Sequence, residues 1–280
     1  TWREASYGCL GSNNRLASKS RSCYQRGMRQ HLLGICVPSA MIAFFVALLL
    51  GSAGCKKTPA AVDDASACDS GDLTACYNLG VSYYKGSGVA QDFVKAAALF
   101  DKVCLRGDMV GCFNLGVSNY EGNGVVRDPA KAAALFDKAC QGGHMSSCSN
   151  LGLRHAKGDG VTRDAKKAAE LYDKACQGNN VRGCYNLALA HGEGAGVAKD
   201  AVKGAALYDK ACQGEVMEGC LNLGVSYVEG NGVGIDPAKA APLHDKACKG
   251  GHVKGCFNLG IAFGKGIGVS KDLAKAAVFY

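Results

Sequence analysis

An all-α, right-handed solenoid of six 36-residue helix-turn-helix repeats is the fold this sequence predicts, and three observations predict it. Cys68, Cys104, Cys140, Cys176, Cys212 and Cys248 recur every 36 residues, each followed eight positions later by a second cysteine: Cys76, Cys112, Cys148, Cys184, Cys220 and Cys256. A fixed period of this size marks an array of like units that bury a core only by stacking. A Gly-x-Gly-Val turn recurs six times between the cysteine pairs, its first glycines being Gly86, Gly122, Gly158, Gly194, Gly230 and Gly266. The segments flanking each turn carry apolar residues at helical spacing. Paired cysteines in such number also imply an oxidising, extracytoplasmic compartment.

The elements follow in chain order. Residues 1–27 begin with Thr, match neither leader nor repeats, and read as upstream, non-native sequence with Met28 as the start. Residues 28–54 read as an export signal: Met28-Arg29-Gln30-His31, an apolar run over 32–50, then Gly51-Ser52-Ala53-Gly54 before Cys55. That ending resembles a lipobox, which implies lipidation of Cys55 and a membrane tether through the N-terminal lipid. Ser52 departs from the Leu usual there, and ordinary cleavage after Ala53 or an uncleaved anchor are the alternatives. Residues 55–67 read as a polar tether and 68–280 as the repeat domain. The 280 residues carry a formal charge of +8, of which 1–54 hold six Lys/Arg and one Glu. The 26 basic and 23 acidic residues of 55–280 leave only +3, which predicts no nucleic-acid partner, since that needs a clustered basic face.

Within a unit, Ala75-Cys76-Tyr77-Asn78-Leu79-Gly80-Val81-Ser82-Tyr83 forms the first helix. Gly86 ends it in the left-handed region, and Val89, which recurs in every unit, is expected to plug the turn into the core. Asp92 also recurs in every unit and twice precedes proline, at Pro129 and Pro237. Asp as N-cap with Pro at the first helical position starts the second helix. Lys95-Ala96-Ala97-Ala98-Leu99-Phe100 gives that helix a small-residue face for close packing, and Asp101-Lys102-Val103-Cys104 closes it. The last unit stops at Tyr280, the equivalent of Phe100, so further repeats are expected beyond it.

These residues carry a family resemblance over 68–280. Cys76-x2-Leu79-Gly80-x2-Tyr83 followed by Ala96-x3-Phe100 resembles the tetratricopeptide pattern, with Cys in the Trp position. The longer Gly-x-Gly-Val turn and the 36-residue period look like the Sel-type repeat, and Cys-x7-Cys resembles the Helicobacter cysteine-rich protein type of that group. The resemblance is specific for fold and weak for function.

The cysteine count selects a pairing. Cys68–Cys76, Cys104–Cys112, Cys140–Cys148, Cys176–Cys184, Cys212–Cys220 and Cys248–Cys256 use all twelve, whereas pairing Cys76 with Cys104, and so on, orphans Cys68 and Cys256. Each eight-residue closure contributes about 2.5 kcal/mol in the chain-entropy treatment. Zinc is the competing use of cysteine pairs, but its structural sites favour spacings of about two to four with His nearby. No Cys-x2-Cys occurs, and His144, His252, His155 and His191 are not maintained from unit to unit. No metal and no cofactor is expected.

The cysteine-rich resemblance also implies penicillin binding or weak β-lactam hydrolysis. Ser82-Tyr83-Tyr84-Lys85 is a formal Ser-x-x-Lys, yet Ser118 and Ser226 are followed by Glu121 and Glu229, and no Ser-Asp-Asn or Lys-Thr-Gly accompanies it. No catalytic residue is assigned. The fixed Asn78 positions are expected to make the same local hydrogen bond in every unit, and the fixed Asp101-Lys102 pairs to complement helix ends and join repeats. Function in arrays lies where units vary. The tetratricopeptide register implies a concave face built from the Thr74, Tyr77, Val81 and Tyr84 positions. Tyr77, Phe113, Tyr185 and Phe257, with Tyr84 and Tyr120, and Arg182 and Lys254 at the polar edge, are the candidate partner-binding residues for a protein or peptide. The expected function is that of a monomeric, non-catalytic, extracytoplasmic binding lipoprotein in the periplasm or at the cell surface. A β-lactam-interacting hydrolase and an envelope-structural lipoprotein are the alternatives.

Overall fold

The structure, a computed structural model, describes residues 60–279. The segments 1–27 and 28–54, Cys55 and Tyr280 lie outside them. Thirteen helices and no strand are found among the described residues: α1 (Ala60–Asp69), α2 (Leu73–Lys85), α3 (Phe93–Leu105), α4 (Met109–Glu121), α5 (Pro129–Gln141), α6 (Met145–Lys157), α7 (Ala165–Gln177), α8 (Val181–Glu193), α9 (Ala201–Gln213), α10 (Met217–Glu229), α11 (Pro237–Lys249), α12 (Val253–Lys265) and α13 (Leu273–Phe279). Each helix packs on its neighbours in the chain, giving a solenoid whose even-numbered helices are the first of each repeat and odd-numbered ones the second. None of the described helices is long and apolar enough to cross a membrane.

The helix boundaries follow from fixed residues. Asp92 sits in extended backbone, and its carboxylate accepts the Lys95 backbone N–H at 3.0 Å. The same bond recurs from Asp128, Asp164, Asp200, Asp236 and Asp272. It satisfies one of the four unpaired N–H groups at each helix start. Gly86 ends α2 with φ 70° and donates its N–H to Ser82 O. The second glycine of the turn has a different task. A Cβ on Gly124 (φ 75°) would overlap the Phe93 carbonyl of the preceding repeat, and Gly160, Gly196, Gly232 and Gly268 meet Pro129, Ala165, Ala201 and Pro237 in the same way. Each turn therefore rests on the first turn of the previous second helix. Val125, beside Gly124, packs onto a cluster formed by Ala96, Ala97 and Phe100 of that earlier repeat with Leu115 of its own.

The core is a column of such clusters. Phe136 is 2 % exposed, and a Cβ on Gly116 would come within 2.7 Å of its ring, so glycine lets the two helices of a repeat close on the aromatic. In the fourth repeat the small residues are exchanged: Ala188 replaces the glycine, and Gly204 stands where the others carry alanine, next to Ala188 O.

All six Cys-x7-Cys pairs form disulfides, each tying a second helix to the first helix that follows. A ladder of lysines runs beside them. Lys102 Nζ donates to Cys68 O at 3.2 Å, and Lys138, Lys174, Lys210 and Lys246 repeat the bond to Cys104, Cys140, Cys176 and Cys212. A cation thus meets the unpaired carbonyls of the last helical turn, where the helix dipole is negative. The fixed lysines join repeats, as expected, through backbone.

One segment departs from the sequence expectation. Residues 60–67, expected as part of a polar tether, belong to α1. In the 36-residue register α1 is a second helix, with no first helix before it among the described residues. Its Ala67 and Cys68 occupy the positions of Val103 and Cys104, and Cys68 pairs with Cys76. Asp63 and Asp64 stand where Leu99 and Phe100 stand one repeat later, which hides the apolar pattern.

Candidate functional site: the exposed face of the first helices

Residues 77, 81 and 84 fall on one face of α2 because their spacing is four and three. The middle position is aliphatic in all six repeats: Val81, Val117, Leu153, Leu189, Val225 and Ile261, each only partly buried. They form a regular apolar stripe, one residue per repeat. Its flanks vary, and the structure shows what each flank does.

Tyr77 and Phe113 are half-buried against the core aromatic of their own repeat, with ring centroids 6.1 Å from Phe100 and 5.9 Å from Phe136. Phe113 also meets His144 at 4.7 Å. Tyr185 lies 6.0 Å from Tyr208, and burial raises the pKa of both hydroxyls. Tyr84 stands edge-on to Phe93 at 5.3 Å and donates its hydroxyl to Glu121 Oε2 at 3.0 Å. Burial, then the Glu121 charge, pushes that hydroxyl above its ordinary value. Arg182 is not a free polar edge: it pairs with Glu218 of the next repeat at 2.7 Å and lies over Tyr185. Burial alone would raise the Glu218 carboxyl, but Arg182, with smaller help from its own backbone and His252, holds it below the usual range. Lys254 is exposed and Phe257 is 52 % exposed. The candidate aromatics thus share their surface between joints and solvent.

The asparagines differ from expectation. Asn114 donates to the Tyr77 hydroxyl at 3.4 Å and Asn186 to Ser149 Oγ at 3.4 Å, so the bond links adjacent repeats wherever position 77 carries a hydroxyl. Where that neighbour is Phe113, Asn150 turns back to Ser146 O within its own helix. No uniform local bond exists, because the partner belongs to the preceding unit.

Two features escape sequence reasoning. Arg154, 3 % exposed, lies 3.9 Å from the Tyr120 ring centroid and pairs with Asp159 at 2.9 Å, while Arg127 covers the same ring at 5.4 Å. Beside it, burial lifts the Tyr172 hydroxyl to about 12 against the pull of Arg154. His244 is 4 % exposed in the place of Phe100, and burial lowers its pKa. The available signal in both cases is a residue type that breaks the repeat consensus at its position. Ser82 and Lys85, the formal Ser-x-x-Lys, share no hydrogen bond, and the lysine is exposed.

The Sel1 repeat pattern matches residues 73–108, 110–144, 146–180, 181–215, 218–252 and 253–280. The chain belongs to the Sel1 repeat family. Proteins built of Sel1 repeats are typically protein-interaction scaffolds. The fold is similar to that of a protective antigen of uropathogenic Escherichia coli strains (33% identity, TM-score 0.71, covering 78% of this chain and 46% of that one). This chain therefore spans about half the length of that Sel1-like relative. It is also similar to a Sel1 repeat protein from Oxalobacter formigenes (21% identity, TM-score 0.69, covering 79% and 95%). The Helicobacter pylori cysteine rich protein B matches at 31% identity over 46% of this chain and 93% of its own, with a TM-score of 0.39. A search of curated proteins returns no match. Six disulfides in one Sel1 chain point to an oxidising, extracytoplasmic compartment.

Proposed function

We propose that this protein is a non-catalytic, extracytoplasmic scaffold that binds a protein or peptide, monomeric and held at a membrane by lipid on Cys55. The observation that carries the binding surface is the aliphatic stripe Val81, Val117, Leu153, Leu189, Val225 and Ile261: it keeps its chemistry and its partial exposure in every repeat. Core packing alone does not need the position exposed six times over, whereas an extended ligand gains one contact per repeat from it. The neighbouring aromatics, already ordered by Phe100, Phe136 and Tyr208, present rings at little further entropic cost. The membrane tether rests on the lipobox-like ending at Cys55.

The test is capture from membranes under non-reducing conditions with the native chain and with a Val117→Ser, Leu153→Ser, Leu189→Ser variant. The captured partner is expected to bind the variant about 1–3 kcal/mol more weakly while circular dichroism stays unchanged. Undiminished capture would rule out the stripe as the surface. Separately, Cys55→Ser is expected to release the protein from the membrane fraction or leave an unprocessed precursor.

A further inference from the structure

The turns of the second and fifth repeats carry the same pentapeptide, Glu-Gly-Asn-Gly-Val, from Glu121 and from Glu229. Each places an asparagine before the second glycine, Asn123-Gly124 and Asn231-Gly232. The backbones agree as well: Asn123 and Asn231 donate their N–H groups to Ser118 O and Ser226 O at 3.0 Å, and the glycines have φ 75° and 76°. The side chains do not agree. Asn123 Nδ2 donates to Glu121 Oε2 at 2.7 Å and to the Tyr84 hydroxyl at 3.3 Å, and Tyr84, from the preceding repeat, itself donates to Glu121. Ahead of the fifth repeat, Gly192 stands in the place of Tyr84. A Cβ on Gly192 would meet only Tyr208 Oη, at 4.0 Å, so no other side chain crowds that point. Asn231 is exposed, and among the described residues no hydrogen bond holds its side chain.

We infer that Asn231 is a self-modifying site, at which the Asn231-Gly232 bond rearranges to isoaspartate and loosens the junction of the fourth and fifth repeats, while Tyr84 guards Asn123 from the same reaction. The chemistry needs only water. The Gly232 backbone nitrogen attacks Asn231 Cγ: an N–Cγ bond forms, the Cγ–Nδ2 bond breaks, and ammonia leaves with the proton that the attacking nitrogen carried. Glycine favours this attack because no Cβ stands in its path. Water then opens the cyclic imide. Entry at Cγ gives aspartate, whereas entry at the main-chain carbonyl leaves the chain running through Cγ, longer by a methylene, with a free α-carboxylate. Both products put a negative charge close to Glu229. The second also adds length where Gly232 sits too close to the Ala201 carbonyl to admit even a Cβ. Ring closure requires the asparagine side chain to turn towards the following nitrogen. In the second repeat that movement breaks a charge-assisted hydrogen bond to Glu121, the stronger kind. Glu229 makes no such bond to Asn231, which assigns the fixing of the carboxylate to the tyrosine hydroxyl.

The experiment incubates the disulfide-intact protein at mildly alkaline pH, digests it, and quantifies the peptides holding Asn123 and Asn231 by mass spectrometry. Electron-transfer fragmentation separates isoaspartate from aspartate. Asn231 is expected to convert at least ~10-fold faster than Asn123, the worth of about one hydrogen bond to a charged group. In the reduced, urea-unfolded chain the two are expected to convert at like rates, because their neighbours in sequence are the same. Tyr84→Phe, which removes only the hydroxyl, is expected to bring the Asn123 rate up towards that of Asn231, and Gly192→Tyr to slow Asn231. On ageing, the native chain is expected to melt at a progressively lower temperature. Asn231→Ser, which places there the residue of the first repeat, is expected to hold its melting temperature. Should Gly192→Tyr fail to fold, Tyr84→Phe decides alone, since it adds no atom. Equal conversion of Asn123 and Asn231 in the folded protein, or an Asn123 that stays slow in Tyr84→Phe, overturns the guarding role of the tyrosine. An aged chain converted at 231 with its melting temperature unchanged overturns the loosening of the junction.

Discussion

Gly86 and Gly124 look alike in the sequence, yet their side-chain hydrogens are required for different reasons. Gly86 has φ 70°, and a Cβ there would come no closer than 3.3 Å to Gln91, so alanine costs mainly the left-handed conformation, about 1 kcal/mol. At Gly124 the same conformation is joined by a backbone carbonyl that cannot withdraw, and Gly124→Ala is expected to cost about 3 kcal/mol. Urea denaturation of the two variants checks the difference, and equal losses would refute the turn-on-helix contact. His244 makes a separate prediction. Burial holds its pKa below the usual 6.5 in the folded state, so the unfolded chain binds the proton more readily. Its contribution is intact above about 6.5 and is lost as pH falls below that value. His244→Phe, the residue of two sister repeats, should therefore lose less stability between about pH 7.5 and about pH 5 than the native chain does, measured by thermal melting. The residue scale was only partly legible in advance. Fixed Asp and Gly positions announced caps, because capping is local. Asn78 and its equivalents did not announce their partners, because these lie across a repeat junction and change with the residue found there.

Helices were the most legible level, since Asp at the start and Gly at the end are repeated six times over. The exception, α1, shows why. Its carboxylates at 63 and 64 replace the Leu-aromatic pair of α3, α5, α7 and α9, and no repeat precedes it among the described residues to bury such a pair. What identifies α1 is the joint it makes: Cys68 bonded to Cys76 and its carbonyl taken by Lys102. Each such joint can be tested in the interior. Lys174→Met keeps the alkyl stem but removes the bond to Cys140 O, and is expected to cost about 1 kcal/mol with the disulfides intact. A neutral result in urea would mean that water serves the carbonyl equally well.

Across the whole molecule, stability is a sum of like joints between neighbours. The joints also share one arithmetic. The disulfide spans eight residues, the lysine bond 34, and the unit itself 36. Removing residues 109–144 would leave Cys104 eight positions from Cys148 and bring Lys174 to the carbonyl that Lys138 had served. This shortened chain is expected to fold with every disulfide formed, by mass spectrometry under non-reducing conditions. Misregistered disulfides in that protein would show that a junction reads more than its nearest neighbour. At the level of the gene, the same property makes length cheap to change: unequal crossing-over between any two in-frame copies yields another closed array, so such a lineage can lengthen or shorten its ligand-facing surface without passing through an unfolded intermediate genotype.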